Sequence, residues 1–129
     1  MFKNILIATD GSELADRAVT NGLVLAKCVG AKVQMILVNA PMHAELVKRE
    51  AGAALKRAGE QATVSGVPCD TIYVEHDHPH QAIIAAAKQK GCDLIIMASH
   101  GRGGVSTALL GSVTHQVLRH THIPVLVWR

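Results

Sequence analysis

Short apolar runs alternate with amphipathic stretches along the whole chain. Lys3–Ala8 (KNILIA) is β-branched and apolar, the pattern of a strand buried on both faces. Thr9-Asp10-Gly11-Ser12 interrupts it, and Ser12 followed by Glu13 and Asp16 has the features of a helix start. Ala15, Val19, Leu23 and Ala26 then recur at spacings of three and four, giving one apolar helical face that ends at Gly30. Lys32–Val38 (KVQMILV) predicts a second strand, stopped by Asn39-Ala40-Pro41. Glu45 to Ser65 predicts a second helix with Leu46, Ala53, Ala54, Ala58 and Ala62 near one face, made less regular by Gly52 and Gly59 and closed by Gly66-Val67-Pro68. Asp70–Glu75 predicts a third strand, His76–Pro79 a turn, and His80–Lys90 a third helix with Ile83, Ile84 and Ala87 inward. Gly91 ends that helix, and Asp93–Ala98 (DLIIMA) reads as a fourth strand. A loop over Ser99–Leu110, a fourth helix over Gly111–His120 and a fifth strand over Ile123–Trp128 complete the chain.

Strands that alternate with helices over connections of this length pair in parallel through right-handed crossovers. The expected fold is α/β, a three-layer doubly wound sandwich with a five-stranded parallel sheet in the order 3-2-1-4-5, forming one domain over residues 1–129. Ligands of such sheets bind beyond the carboxyl ends of the strands, where the strand order switches. Three segments therefore matter: Thr9–Ser12, Val38–Pro41 and Ala98–Ser112.

Composition narrows the function classes. At 129 residues, 49% hydrophobic and 18% charged, the chain has enough apolar material for a core and is not of the disordered class. No apolar run reaches the ~18–20 residues of a membrane-spanning helix. Met1-Phe2-Lys3-Asn4 has no basic leader region, so a secretory signal is not expected. The formal charge of +3 is spread along the chain, and Phe2, Tyr73 and Trp128 are the only aromatic residues. Neither a basic arm nor a base-stacking platform is present, so no nucleic-acid partner and no membrane partner is expected. Cys28, Cys69 and Cys92 are odd in number and form no Cys-x-x-Cys, which fits reduced thiols in a cytoplasmic protein.

The strongest chemical signal follows the fourth strand: Met97-Ala98-Ser99-His100-Gly101-Arg102-Gly103-Gly104, and later Gly111-Ser112. Glycines let backbone amides approach a phosphate closely, a helix N-terminus favours an anion, Ser112 adds a hydroxyl and Arg102 a charged fork. The same residues also describe a glycine-rich surface loop capped by Ser112. There is no Gly-Lys pair for a Walker A loop, and no Gly-x-Gly-x-x-Gly opens the first helix. Asp10 has two readings: a ligand contact, or a turn residue capping the first helix through its side chain. Glu75-His76-Asp77-His78-Pro79-His80 presents three imidazoles, but it lies in a turn where Asp77 or His78 is expected to cap the third helix and Pro79 to open it. His100 sits inside the glycine loop, either as a solvated loop residue or as a ligand contact, whereas His115, His120 and His122 belong on solvated surface. No catalytic residue is assigned: Ser99-His100 are mere neighbours, and no Gly-x-Ser-x-Gly elbow occurs.

Asp93–Arg129 (DLIIMASHGRGGVSTALLGSVTHQVLRHTHIPVLVWR) resembles the C-terminal half of the universal stress protein family, and Ile5–Ser12 (ILIATDGS) is similar to that family's first strand and turn. The likeness runs through all nine elements and is weakest over Ala40–Glu60, where the connection after the second strand is shorter than the family's. Nucleotide-binding members carry Gly-x2-Gly-x9-Gly-Ser/Thr. Here Gly101, the nine residues Arg102–Leu110 and Gly111-Ser112 match, while Ala98 replaces the first glycine, a change compatible with binding if that position is extended. The resemblance implies an ATP site, with Mg²⁺ as a possible companion and AMP or a cyclic nucleotide as alternatives. By position it implies Ala8 at the adenine wall, Asp10 on base or ribose, backbone bonds from Val38 to the adenine edge, and Met97 and Ala98 beside ribose and base. Gly101, Gly111, Ser112 and Val113 would hold phosphates, with Arg102 in reach. It also implies a homodimer through the edge strand Ile123–Trp128, in which Pro124 is at home, and a role as stress-response sensor or regulator. The rival readings are an interaction protein of the same fold that binds no nucleotide, and a slow ATP hydrolase.

Overall fold

A computed structural model of the chain describes residues 1–102 and 109–129; the loop glycines Gly103 and Gly104, with the rest of 103–108, lie outside the described residues. The described residues form β1 (Asn4–Ala8), α1 (Glu13–Val29), β2 (Lys32–Asn39), α2 (Glu45–Ser65), β3 (Cys69–Glu75), α3 (Pro79–Gln89), β4 (Leu94–Ala98), α4 (Ser112–His120) and β5 (Val125–Trp128). The strands build a parallel sheet in the order β3-β2-β1-β4-β5, the predicted one.

β1 occupies the centre, and Ile5, Leu6 and Ile7 are wholly buried because helices cover both faces. Ile5, Ile7, Val33, Met35 and Ile96 meet Val19 and Leu23 of α1 and Ala54, Leu55 and Ala58 of α2. Leu6, Ile36, Ile95 and Met97 pack on the other side against Ile83 and Ala87 of α3 and Val117 of α4. Ser12 caps α1 by accepting the Ala15 N–H at 3.2 Å, as its position predicts.

Two expectations for α2 fail. Leu46 is 66% exposed and Ala53 faces solvent, while Ala51, Ala54, Leu55, Ala58 and Ala62 form the buried stripe. Each residue turns about 100° around the helix, so Leu46 and Ala53, each one step from an inward position, point away. β5 begins at Val125, later than the apolar run suggests. Pro124 has no N–H for the ladder, although its carbonyl accepts from Ile95 N at 2.9 Å.

The amino ends of the strands are tied shut. Asp93 accepts the N–H groups of Lys3 (2.8 Å) and Asn4 (3.2 Å), and the Asn4 amide donates to the Lys90 carbonyl at 2.8 Å. The carboxyl ends of β1, β2 and β4 open into a cavity. No helix among the described residues is long and apolar enough to cross a membrane.

Leu23, 1% exposed at the α1–sheet contact, supports the core directly. Leu23→Ala is expected to lower unfolding free energy by about 3 kcal/mol through lost transfer energy and a residual cavity, measured by urea denaturation. The three thiols are expected to differ in reactivity. Cys28 is exposed. Burial, then the Asp70 charge, raises the Cys69 thiol above its ordinary range. Burial, then Asp93, pushes Cys92 up to about 11. A thiol with that pKa is ionised in about one molecule in a thousand at pH 8, so iodoacetamide should modify Cys28 first and Cys92 last in peptide mapping of the native protein.

Candidate functional site

A cavity of about 350 Å³ opens where β1, β2 and β4 end and where α4 begins. Its floor is apolar, from Ala8, Ile36, Val38, Ile83 and Met97; its rim is polar. All ten residues singled out from the sequence line it: Ala8, Asp10, Val38, Met97, Ala98, Gly101, Arg102, Gly111, Ser112 and Val113. Elements far apart in the chain meet here because adjacent parallel strands end at one level.

Asp10 organises the rim. One carboxylate oxygen accepts the Ser12 N–H at 2.9 Å, the local turn bond that its position suggests. The other accepts the Arg102 N–H at 2.7 Å, joining the loop after β1 to the loop after β4. Gly101 passes so close that a Cβ there would collide with this carboxylate. The glycine is required by space, since its φ is not positive. The Arg102 guanidinium lies over Gly11 and pairs with Glu50 of α2 at 3.6 Å; both side chains are about half exposed, so the pair contributes little.

The start of α4 forms the opposite rim. Gly111 is its N-cap, so Ser112 stands inside the first turn, and no described side chain caps the helix. The Gly111 N–H donates to the Ser99 carbonyl at 2.6 Å, and a Cβ on Gly111 would sit 3.1 Å from that oxygen and 3.2 Å from His100 Cα. The next amides, at Ser112 and Val113, therefore begin the helix beside the cavity, where the positive end of its dipole lies. Thr114 donates its hydroxyl to the Ala98 carbonyl at 2.7 Å and fixes α4 to the end of β4. Ala98 lies in β4 with no positive φ, so alanine fits the position without strain.

Several lining residues escaped the sequence reading. Thr9 and Asn39 are polar strand-end residues, and Thr114 lies one helical step past Val113. His43, Val47 and Ala51 supply a wall from the short β2–α2 connection and from α2. The only available signal for them was the inward spacing of Val47 and Ala51. His100 lines the cavity, and its Nδ1 lies 3.1 Å from Ser99 Oγ. Ser99 is buried, 3% exposed. His78 is the N-cap of α3 without a side-chain bond, and Pro79 opens the helix.

Comparison with known proteins identifies the family and the fold. The model of the universal stress protein family matches residues 1–129. A universal stress protein of Bacillus subtilis, YxiE, is 32% identical over 149 aligned positions covering all of both chains, which is more positions than this chain has residues. The solved structure of MJ0577, a protein of Methanocaldococcus jannaschii, superposes with a TM-score of 0.87 at 29% identity, covering 99% of this chain and 96% of that one. Two others share the fold: a universal stress protein in complex with cAMP (TM-score 0.78, 24% identity, 98% and 95% covered) and one from Archaeoglobus fulgidus in complex with dAMP (0.81, 18%, 98% of each).

The contact between Gly101 and Asp10 is open to a double-mutant cycle. Gly101→Ala should cost about 1–3 kcal/mol, because the carboxylate cannot retreat without leaving two amides unbonded. In an Asp10→Ala background the same change should cost much less. Equal costs in both backgrounds, measured by urea denaturation, would remove the close-approach explanation for the glycine.

Proposed function

The chain belongs to the universal stress protein family, and we propose that it is an adenine-nucleotide-binding module whose ligand is ATP. The observation that carries this reading is the pairing, in one cavity, of an apolar floor with a helix start that no described side chain caps. Flat aromatic bases favour apolar walls, and phosphates favour free backbone amides at a positive dipole end. Adenine then packs beside Ala8, Val38, Met97 and Ala98, with the Val38 backbone on its edge and Asp10 toward the ribose. The phosphates reach Gly101, Gly111, Ser112 and Val113. Arg102 gives up little by exchanging Glu50 for a phosphate. Mg²⁺ would travel on the phosphates, and Asp10 is the carboxylate of the described lining that could add an oxygen to it. Two other proteins of this fold hold adenine nucleotides, cAMP and dAMP, which supports the ligand class and keeps AMP and cyclic nucleotides among the competitors to test.

The working form in this reading is a cytoplasmic homodimer paired through β5, whose outer edge is bonded to no strand of its own sheet and carries half-exposed Val125 and Val127. Binding without appreciable turnover suits a sensor or regulator better than a hydrolase, since the described lining offers no activated nucleophile.

Calorimetric titration with ATP, ADP, AMP and cAMP, with and without Mg²⁺, tests the reading. ATP is expected to bind at low-micromolar concentration, ~8 kcal/mol of binding free energy. Gly111→Val, which crowds the Ser99 carbonyl and the α4 start, should weaken ATP by at least about tenfold while the circular dichroism spectrum is kept. Silence toward all four nucleotides from folded protein would overturn the reading.

A further inference from the structure

The histidines of the β3–α3 turn meet a partner that sequence distance conceals. His76 and His78 have ring centroids 6.1 Å apart, and His78 and His80 6.3 Å. His120, at the end of α4, stacks on His80 at 5.6 Å with planes 25° apart. A groove of about 420 Å³ lies here between α3 and α4, lined by His80, Gln81, Ile84, Ala85, Lys88 and His120. None of these imidazoles lines the cavity at the strand ends.

Ring nitrogens bound at about 2.0–2.1 Å to one tetrahedral Zn²⁺ place their centroids about 5 Å apart. The separations between neighbouring rings exceed that value by about 1 Å or less, so the rings must turn inward to share an ion. The hydrogen bonds also sort the four rings. His76 Nδ1 accepts the His78 N–H at 2.8 Å and is thereby occupied. His120 Nε2 lies 3.1 Å from the Gln116 side-chain oxygen; as a donor to it, the ring keeps its Nδ1 lone pair free. An imidazole that donates one N–H to a carbonyl and offers the other nitrogen is the usual arrangement of a metal-binding histidine.

We propose that His80 and His120, joined by His78, form a site for a borderline divalent transition ion, with Zn²⁺ as the probe, which would clamp α3 to α4. Among the described residues no three metal-ligating groups converge as they stand. His78 and His120 are exposed and partly buried His80 lies between them, so these side chains have room to turn toward a shared ion.

The test is calorimetric titration of the untagged chain with ZnCl₂ at about pH 7.5, in a Cys28→Ser background that removes the exposed thiol. Micromolar binding is expected, weakened by about tenfold or more in His80→Ala and in His120→Ala. His115→Ala, on exposed surface outside the row, should leave it unchanged. Wild-type binding no tighter than about 1 mM, or unchanged affinity in the His80→Ala/His120→Ala double variant, would overturn the proposal.

Discussion

The handedness of the β-α-β crossover shapes this molecule more than any single contact. The chain lays β2 and β3 to one side of β1, then β4 and β5 to the other. Right-handed connections then force α1 and α2 onto one face and α3 and α4 onto the opposite face. The loops leaving β1 and β4 diverge from neighbouring strands, and a crevice opens between them. The other end of the same strands has no such divergence, and Asp93 and Asn4 close it with hydrogen bonds to the first backbone groups of β1 and the end of α3.

Within the crevice, backbone atoms do most of the work, which explains the residue types found there. The Asp10 carboxylate spends its two oxygens on the amides of Ser12 and Arg102 and so holds two loops at a set distance. That closeness leaves no room for a side chain at Gly101. Gly111 meets the same restriction against the Ser99 carbonyl, and the helix that follows starts without a capping side chain. Ala98 fits its position without strain because its backbone is extended, and Thr114 ties its carbonyl to α4.

The far wall is built differently. The short stretch between β2 and α2 brings His43 to the cavity, and Val47 and Ala51 continue that wall along one helical face. The weak Arg102–Glu50 pair spans from this helix to the glycine loop. The α3–α4 layer serves twice: Pro79, Ile83 and Val113 face the cavity, while His80 and His120 meet on the outer surface.

The element order, the parallel architecture and the strand ends that carry the cavity were all legible along the chain. So were the ten residues that the structure gathers there. Periods of two and 3.6, helix caps and glycine spacing are local properties, and local spacing records them. What the pattern could not hold was rotation and distance. It put Leu46 and Ala53 inward, where a single step around the helix turns them to solvent. It offered two roles for Asp10 and no hint that its second oxygen reaches Arg102 across the switch in strand order. It left His120 on open surface, unaware of His80. Contacts between residues distant in sequence depend on how helices settle on the sheet, and that is decided only when the whole core packs.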